Sequence, residues 1–168
     1  SVILAFGALT GCAPKTDEYT ETMKAKLEQF KEVTLTTDLS WLSEKEREMI
    51  SILIDAADLM DEVFWMQAYG DKDQLMRELD NEFARQYALI HYGPWDRLGG
   101  MAPFVPELGA KPEGANFYPT DMTKEEFEAW DDPNKTSLYT VIRRDEAGNL
   151  VSVPYSQAYA EQHQKAAE

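Results

Sequence analysis

The chain has 168 residues, 43% of them apolar and 11% aromatic, which suits one domain with its own core and rules out general disorder. Thirty-one acidic residues against sixteen basic ones leave a formal charge of −15, and no basic stripe interrupts it, so nucleic acid is excluded as a partner. A single cysteine excludes an internal disulfide framework.

The chain opens on SVILAFGALTGCAPK. Val2 to Leu9 form an apolar run too short to span a bilayer as a helix. The small residues Thr10 and Gly11 precede Cys12 as at a signal-peptide cleavage site, and LTGC resembles the bacterial lipobox. That resemblance implies that Cys12 becomes an acylated N-terminus, holding the protein on a membrane of the bacterial cell envelope. The alternative is a buried strand with a core cysteine, and the flanks favour the anchor. Residues 1–12 are therefore expected to be a lipoprotein signal segment, clipped at its start. Residues 13–40 form a tether and first helix, and residues 41–168 a helical domain with a hairpin.

From Thr16 to Glu32, the apolar residues Tyr19, Met23, Leu27 and Phe30 recur at helical spacing. Ser43 and Glu46 form a capping box opening a helix to about Tyr69. Met49, Leu53, Ala56, Met60 and Phe64 line one face of it, with Ile50, Ile52, Ala57 and Val63 beside them. So broad a stripe predicts a central, nearly enclosed helix. A third helix is expected from Lys72 to about His91, with Leu75, Leu79, Phe83, Tyr87 and Ile90 facing inward. A long Gly/Pro-rich segment follows, interleaved with aromatics, and loops of this kind bind something or wrap a core. TKEE at 123–126 is a second capping box, opening a short helix through Trp130. SLYTVIRR and NLVSVPY around DEAGN read as a β-hairpin, and the tail from Ser156 as a helix. The predicted fold class is mainly α: a helical bundle with a long aromatic loop and one small hairpin.

His91 and His163 share no metal-ligand spacing, and no HExxH, GxSxG, phosphate-binding or dinucleotide pattern occurs. Paired acids such as Asp131 and Asp132 read as solvated helix ends. The aromatic loop is the candidate binding surface. Tyr92, Trp95, Asp96 and Arg97 fall in one short turn, and Asn116 and Tyr118 in another. Aromatics supply contact area at little entropic cost, and polar neighbours fix orientation. The alternative is that the aromatics plug the seam between helices and hairpin.

HYGPWDRLGG, then GANFYPTDMTKEEFEAW and a basic-ended hairpin, together resemble the N-terminal region of bacterial dipeptidyl-peptidase III-related proteins. The resemblance covers about residues 41–168. It implies a zinc exopeptidase that removes dipeptides from peptide N-termini, with an HExxGH helix and a downstream glutamate holding the metal. Neither motif is present in this sequence, so no catalytic or metal residue carries over, and zinc is expected only in a longer protein. The N-terminal lobe of that family forms one wall of a peptide cleft, which implies that residues 92–118 face substrate. A small lipid-anchored helical binding module is the other function compatible with the sequence.

Overall fold

A computed structural model of the chain describes residues 15–168. Cys12 and the apolar run before it lie outside the described residues. The fold is mainly helical: α1 spans Lys15–Leu27, α2 Glu44–Ala68, α3 Lys72–Glu78, α4 Glu82–His91, α5 Lys124–Ala129, α6 Tyr155–Ala158 and α7 Ala160–Ala167. The expected hairpin pairs β3 (Thr140–Arg144) with β4 (Leu150–Pro154), Val141 facing Val153. A second, much smaller antiparallel pair joins β1 (Trp95–Asp96) to β2 (Ala102–Pro103) inside the aromatic loop.

Local chemistry sets the helix boundaries. At Ser43 the side chain accepts from the Glu46 N–H while the Glu46 carboxylate accepts from the Ser43 N–H at 2.8 Å, which is the capping box read from the sequence. Thr123 caps α5 in the same way, but the Glu126 carboxylate turns to Arg144 instead of closing a box.

The single helix expected over Lys72–His91 is two helices. Asn81 accepts from the Ala84 N–H at 3.0 Å and starts α4 afresh, while Leu79 is extended. Short amide and carboxylate side chains compete in this way with the helical backbone. The interruption resets the helical phase: Ala84, Tyr87, Ala88 and His91 face inward on α4, and Ile90 is exposed.

Two apolar clusters flank the C-terminal end of α2. On one side Met23 of α1, Trp65, Leu75, Leu79, Tyr87 and Phe104 pack together. On the other, Val63 meets Val141 and Tyr159, with Met66, Phe117 and Tyr155 against them. Helix α1, grouped with the tether in the sequence reading, thus contributes a fully buried Met23 to the first cluster and packs along α4.

The expectation of a nearly enclosed α2 is overturned. Only Val63, Trp65 and Ala68 are buried on a helix about 38 Å long. Leu53 and Ile52 are 59% exposed and Met49 53%, with Met60 and Phe64 also exposed. The reason is geometric. Both clusters gather around the last turns of α2, and the junction of α6 and α7 brings Tyr159 to the Val63 side, so among the described residues the stripe through 49, 53 and 60 has no cover, and Phe64 stays exposed although Tyr92 and Arg97 pack against it.

Candidate functional site

Helix α4 ends where its backbone turns left-handed. Tyr92 caps it at φ 53°, an unfavourable region for a side chain with a Cβ, and still donates its N–H to the Ala88 carbonyl. Gly93 follows at φ 144°, where an added Cβ would meet the Trp95 ring at 3.2 Å. The chain then reverses into β1. Tyr92 is held by its hydroxyl, which donates to Asp61 of α2 at 2.5 Å, and by edge-on contact with Phe64, ring centres 4.6 Å apart. Trp95 is buried, donating from Nε1 to the Gly109 carbonyl at 3.0 Å.

Asp96 is only 6% exposed and fully bonded. Its Oδ2 accepts from Lys26 Nζ of α1 at 2.9 Å, and its Oδ1 from the Leu98 and Gly99 N–H groups at 3.0 and 2.7 Å. A Cβ on Gly99 would lie 2.8 Å from that carboxylate, so glycine permits the close approach. Burial pushes the Asp96 carboxyl up, but Lys26, the Gly99 N–H and the Tyr87 hydroxyl outweigh it and hold the group at about 2. Tyr87 is pushed the other way, to about 12, by burial and by its bond to Asp96. A carboxylate so acidic is a poor proton acceptor near neutral pH.

Arg97 closes the turn. Its backbone N–H donates to His91 Nδ1 at 3.0 Å, its Nε donates to the His91 carbonyl at 2.6 Å, and its guanidinium lies over the Phe64 ring, 5.4 Å from the centre. A cation on the last carbonyl of α4 also suits the helix dipole. His91 is buried beside Phe30, Tyr87 and Phe104, its Nε2 without a partner among the described residues. Burial lowers the imidazole, with Arg97 and Lys26 adding to that and Asp96 opposing it.

Asn116 and Tyr118 lie apart from this turn. Asn116 Nδ2 donates to the Met66 carbonyl of α2 at 2.9 Å and braces the loop. Removing that bond by Asn116→Ala should cost about 0.5–1.5 kcal/mol, read as a lower melting temperature. An unchanged melt would show that the bond is not formed in solution. Tyr118 is the exposed member of the set, its ring edge-on to Phe127. It borders a groove of about 430 Å3 with Asp121, Thr120, Arg143 and Arg144. Arg144 is occupied, bonding both Glu126 oxygens at 2.8 and 2.9 Å and Asp121 at 2.8 Å. Among the described residues Arg143 bonds only a neighbouring carbonyl, that of Ile142. A separate cavity of about 810 Å3 lies between α1, the start of α4 and Pro106–Leu108, with Glu78, Asp80 and Glu107 on its rim.

The structure therefore brings Tyr92, Trp95, Asp96 and Arg97 together in one turn, each hydrogen-bonded to a residue outside the four, and sets Asn116 and Tyr118 against a second face. Lys26, Asp61 and Arg143 are the participants that motif reading missed. Each reaches its place from a different element, so no local spacing marks it. No three His, Cys, Asp or Glu side chains converge to hold a metal ion among the described residues. His91 offers nothing toward zinc, since its Nδ1 is bonded and its Nε2 is enclosed by rings.

No family model matches the chain. Over 94% of its length it is 24% identical to Nudix hydrolase 3 of Arabidopsis thaliana, in an alignment of 219 residues that takes in 28% of that protein. The fold superposes on dipeptidyl-peptidase III from Corallococcus sp. strain EGB with a TM-score of 0.78 and 28% identity, covering 88% of this chain and 30% of that one. The chain thus spans less than a third of each protein that it matches.

Proposed function

We propose that the chain is the N-terminal part of a membrane-anchored zinc exopeptidase like dipeptidyl-peptidase III, forming one wall of its peptide cleft, with the zinc ligands supplied from outside these 168 residues. The observation that carries this is the superposition on part of a dipeptidyl-peptidase III at a TM-score of 0.78 with 28% identity. The sequence resemblance through HYGPWDRLGG and GANFYPTDMTKEEFEAW leads to the same family. The Tyr118 groove is the stretch of wall best suited to peptide, because Tyr118 offers an exposed ring and Arg143 a cation with no carboxylate bonded to it among the described residues. Either can pair with a peptide backbone or carboxylate.

The test is dipeptide release from the N-terminus of short peptides by the longer protein, before and after zinc is removed by a chelator. Release that is lost with zinc and restored by adding it is expected. Absence of release from any peptide in a varied panel would leave the lipid-anchored binding module instead. The 168-residue chain on its own should retain no zinc after dialysis, since a catalytic zinc needs three protein ligands. One tightly held zinc per chain would contradict the proposed division of labour.

Anchoring is part of the same proposal and rests on LTGC. Among the described residues no helix is long and apolar enough to cross a membrane. Acyl chains on Cys12 would hold the protein at the cell envelope. Labelled palmitate fed to cells should enter the wild-type protein and not Cys12→Ser, and equal labelling would end the lipoprotein assignment.

A further inference from the structure

We infer that the exposed apolar stripe of α2 is a docking surface for a helix from the part of the same polypeptide that lies outside these 168 residues. The inference rests on the proposed function in one respect only, that a longer polypeptide exists. Met49, Leu53, Ala56 and Met60 stand at positions i, i+4, i+7 and i+11, the spacing by which one helix presents a seam to another. The large members of that seam, with Ile52 and Phe64, are between 41% and 59% exposed, which is more contiguous apolar surface than a lone soluble helix face carries without purpose.

Length and charge select the occupant. The solved chain on which this fold superposes is roughly three times as long, so most of its polypeptide lies outside the shared part. The stripe is an unpartnered apolar helix face available for it among the described residues. A second copy is a poor occupant, because two chains of formal charge −15 repel one another. An anionic bilayer meets the same repulsion. A covalently linked helix is already at high effective concentration and can present its own cations.

Thiol accessibility tests this in a Cys12→Ser background, with single thiols introduced by Leu53→Cys or Met60→Cys and by Glu48→Cys as the exposed control. In the 168-residue chain all three should react with a maleimide at similar rates. In the longer protein the two stripe thiols should react about 100-fold more slowly while the control stays fast. Equal rates in the longer protein overturn the inference. So does slowing in the short chain: if it grows with protein concentration the occupant is a second copy, and if it does not, residues 1–14. Slowing of the short chain only when phosphatidylglycerol vesicles are added assigns the stripe to lipid instead. The readout needs no catalysis, so protection without dipeptide release would keep the docking surface and reject the peptidase, while release without protection would do the reverse.

Discussion

Leu75→Asp should unfold the chain, and Leu53→Asp should not. Both leucines lie on apolar helix faces in the sequence, but Leu75 is completely buried against Met23, Trp65 and Tyr87, whereas Leu53 is 59% exposed. A carboxylate at position 75 has no partner within that cluster. Its desolvation, added to a lost leucine worth about 2–5 kcal/mol on truncation, matches or exceeds the roughly 5–15 kcal/mol that holds a domain of this size together. At position 53 the carboxylate stays in water and costs only helix propensity, about 0.5 kcal/mol. Urea titrations followed by the fluorescence of buried Trp65 measure both. Equal damage from the two substitutions in the 168-residue chain would mean that the α2 stripe is covered after all. In the longer protein the contrast should shrink, because there Leu53→Asp places a charge in an interface.

What could be read from the sequence follows the range of the interactions involved. The Ser43–Glu46 box, the Thr123 cap and the hairpin around DEAGN depend on residues within a few positions of one another, and all three are found. The split between α3 and α4 is also local, since Asp80 and Asn81 precede a good helical pattern. The expectation followed the continuous apolar spacing alone, and Ile90, expected to face inward, is exposed. Periodicity reports that a face of α2 is apolar and not what covers it, so enclosure could not be deduced from Met49, Leu53 and Met60. The candidate turn divides in the same way. Its aromatic and polar residues were marked by composition, whereas the partners that fix them lie far off in sequence: Lys26 for Asp96, Asp61 for Tyr92 and the Met66 carbonyl for Asn116.

Lys26→Met should destabilise the chain by about 2–3 kcal/mol at neutral pH and move its acid unfolding to higher pH. Lys26 keeps a path to water, its side chain being 31% exposed, but Asp96 does not, and removing the ammonium leaves a buried carboxylate held only by backbone N–H groups and Tyr87. Breaking a buried pair from one side typically costs about 3–5 kcal/mol, and the partial exposure of Lys26 reduces that. The pH dependence follows from the direction of each shift. In the wild type the folded Asp96 carboxyl sits at about 2, below its ordinary 3.8, so its contribution of about 2 kcal/mol is complete above the ordinary value and is lost as the pH falls toward 2. The buried His91 imidazole is also lowered, from 6.5, so the unfolded chain binds its proton first and stability declines as the pH falls below 6.5. Two acid steps are therefore expected in a plot of melting temperature against pH. Asp96→Asn should shrink the lower step, to which the depressed carboxyls of Asp38, Glu46, Glu126, Asp145 and Glu161 also contribute, and leave the upper step in place, while His91→Gln should remove the upper step and leave the lower. In Lys26→Met the lower step should shrink, because the folded Asp96 carboxyl then sits closer to its ordinary value. A double-mutant cycle across Lys26 and Asp96 should give a coupling of about 1–3 kcal/mol that shrinks as the carboxylate is protonated. A coupling that does not change between pH 7 and the acid limb would show that the pair is joined by shape and not by charge, and Lys26 would then hold α1 against the β1 turn through packing alone.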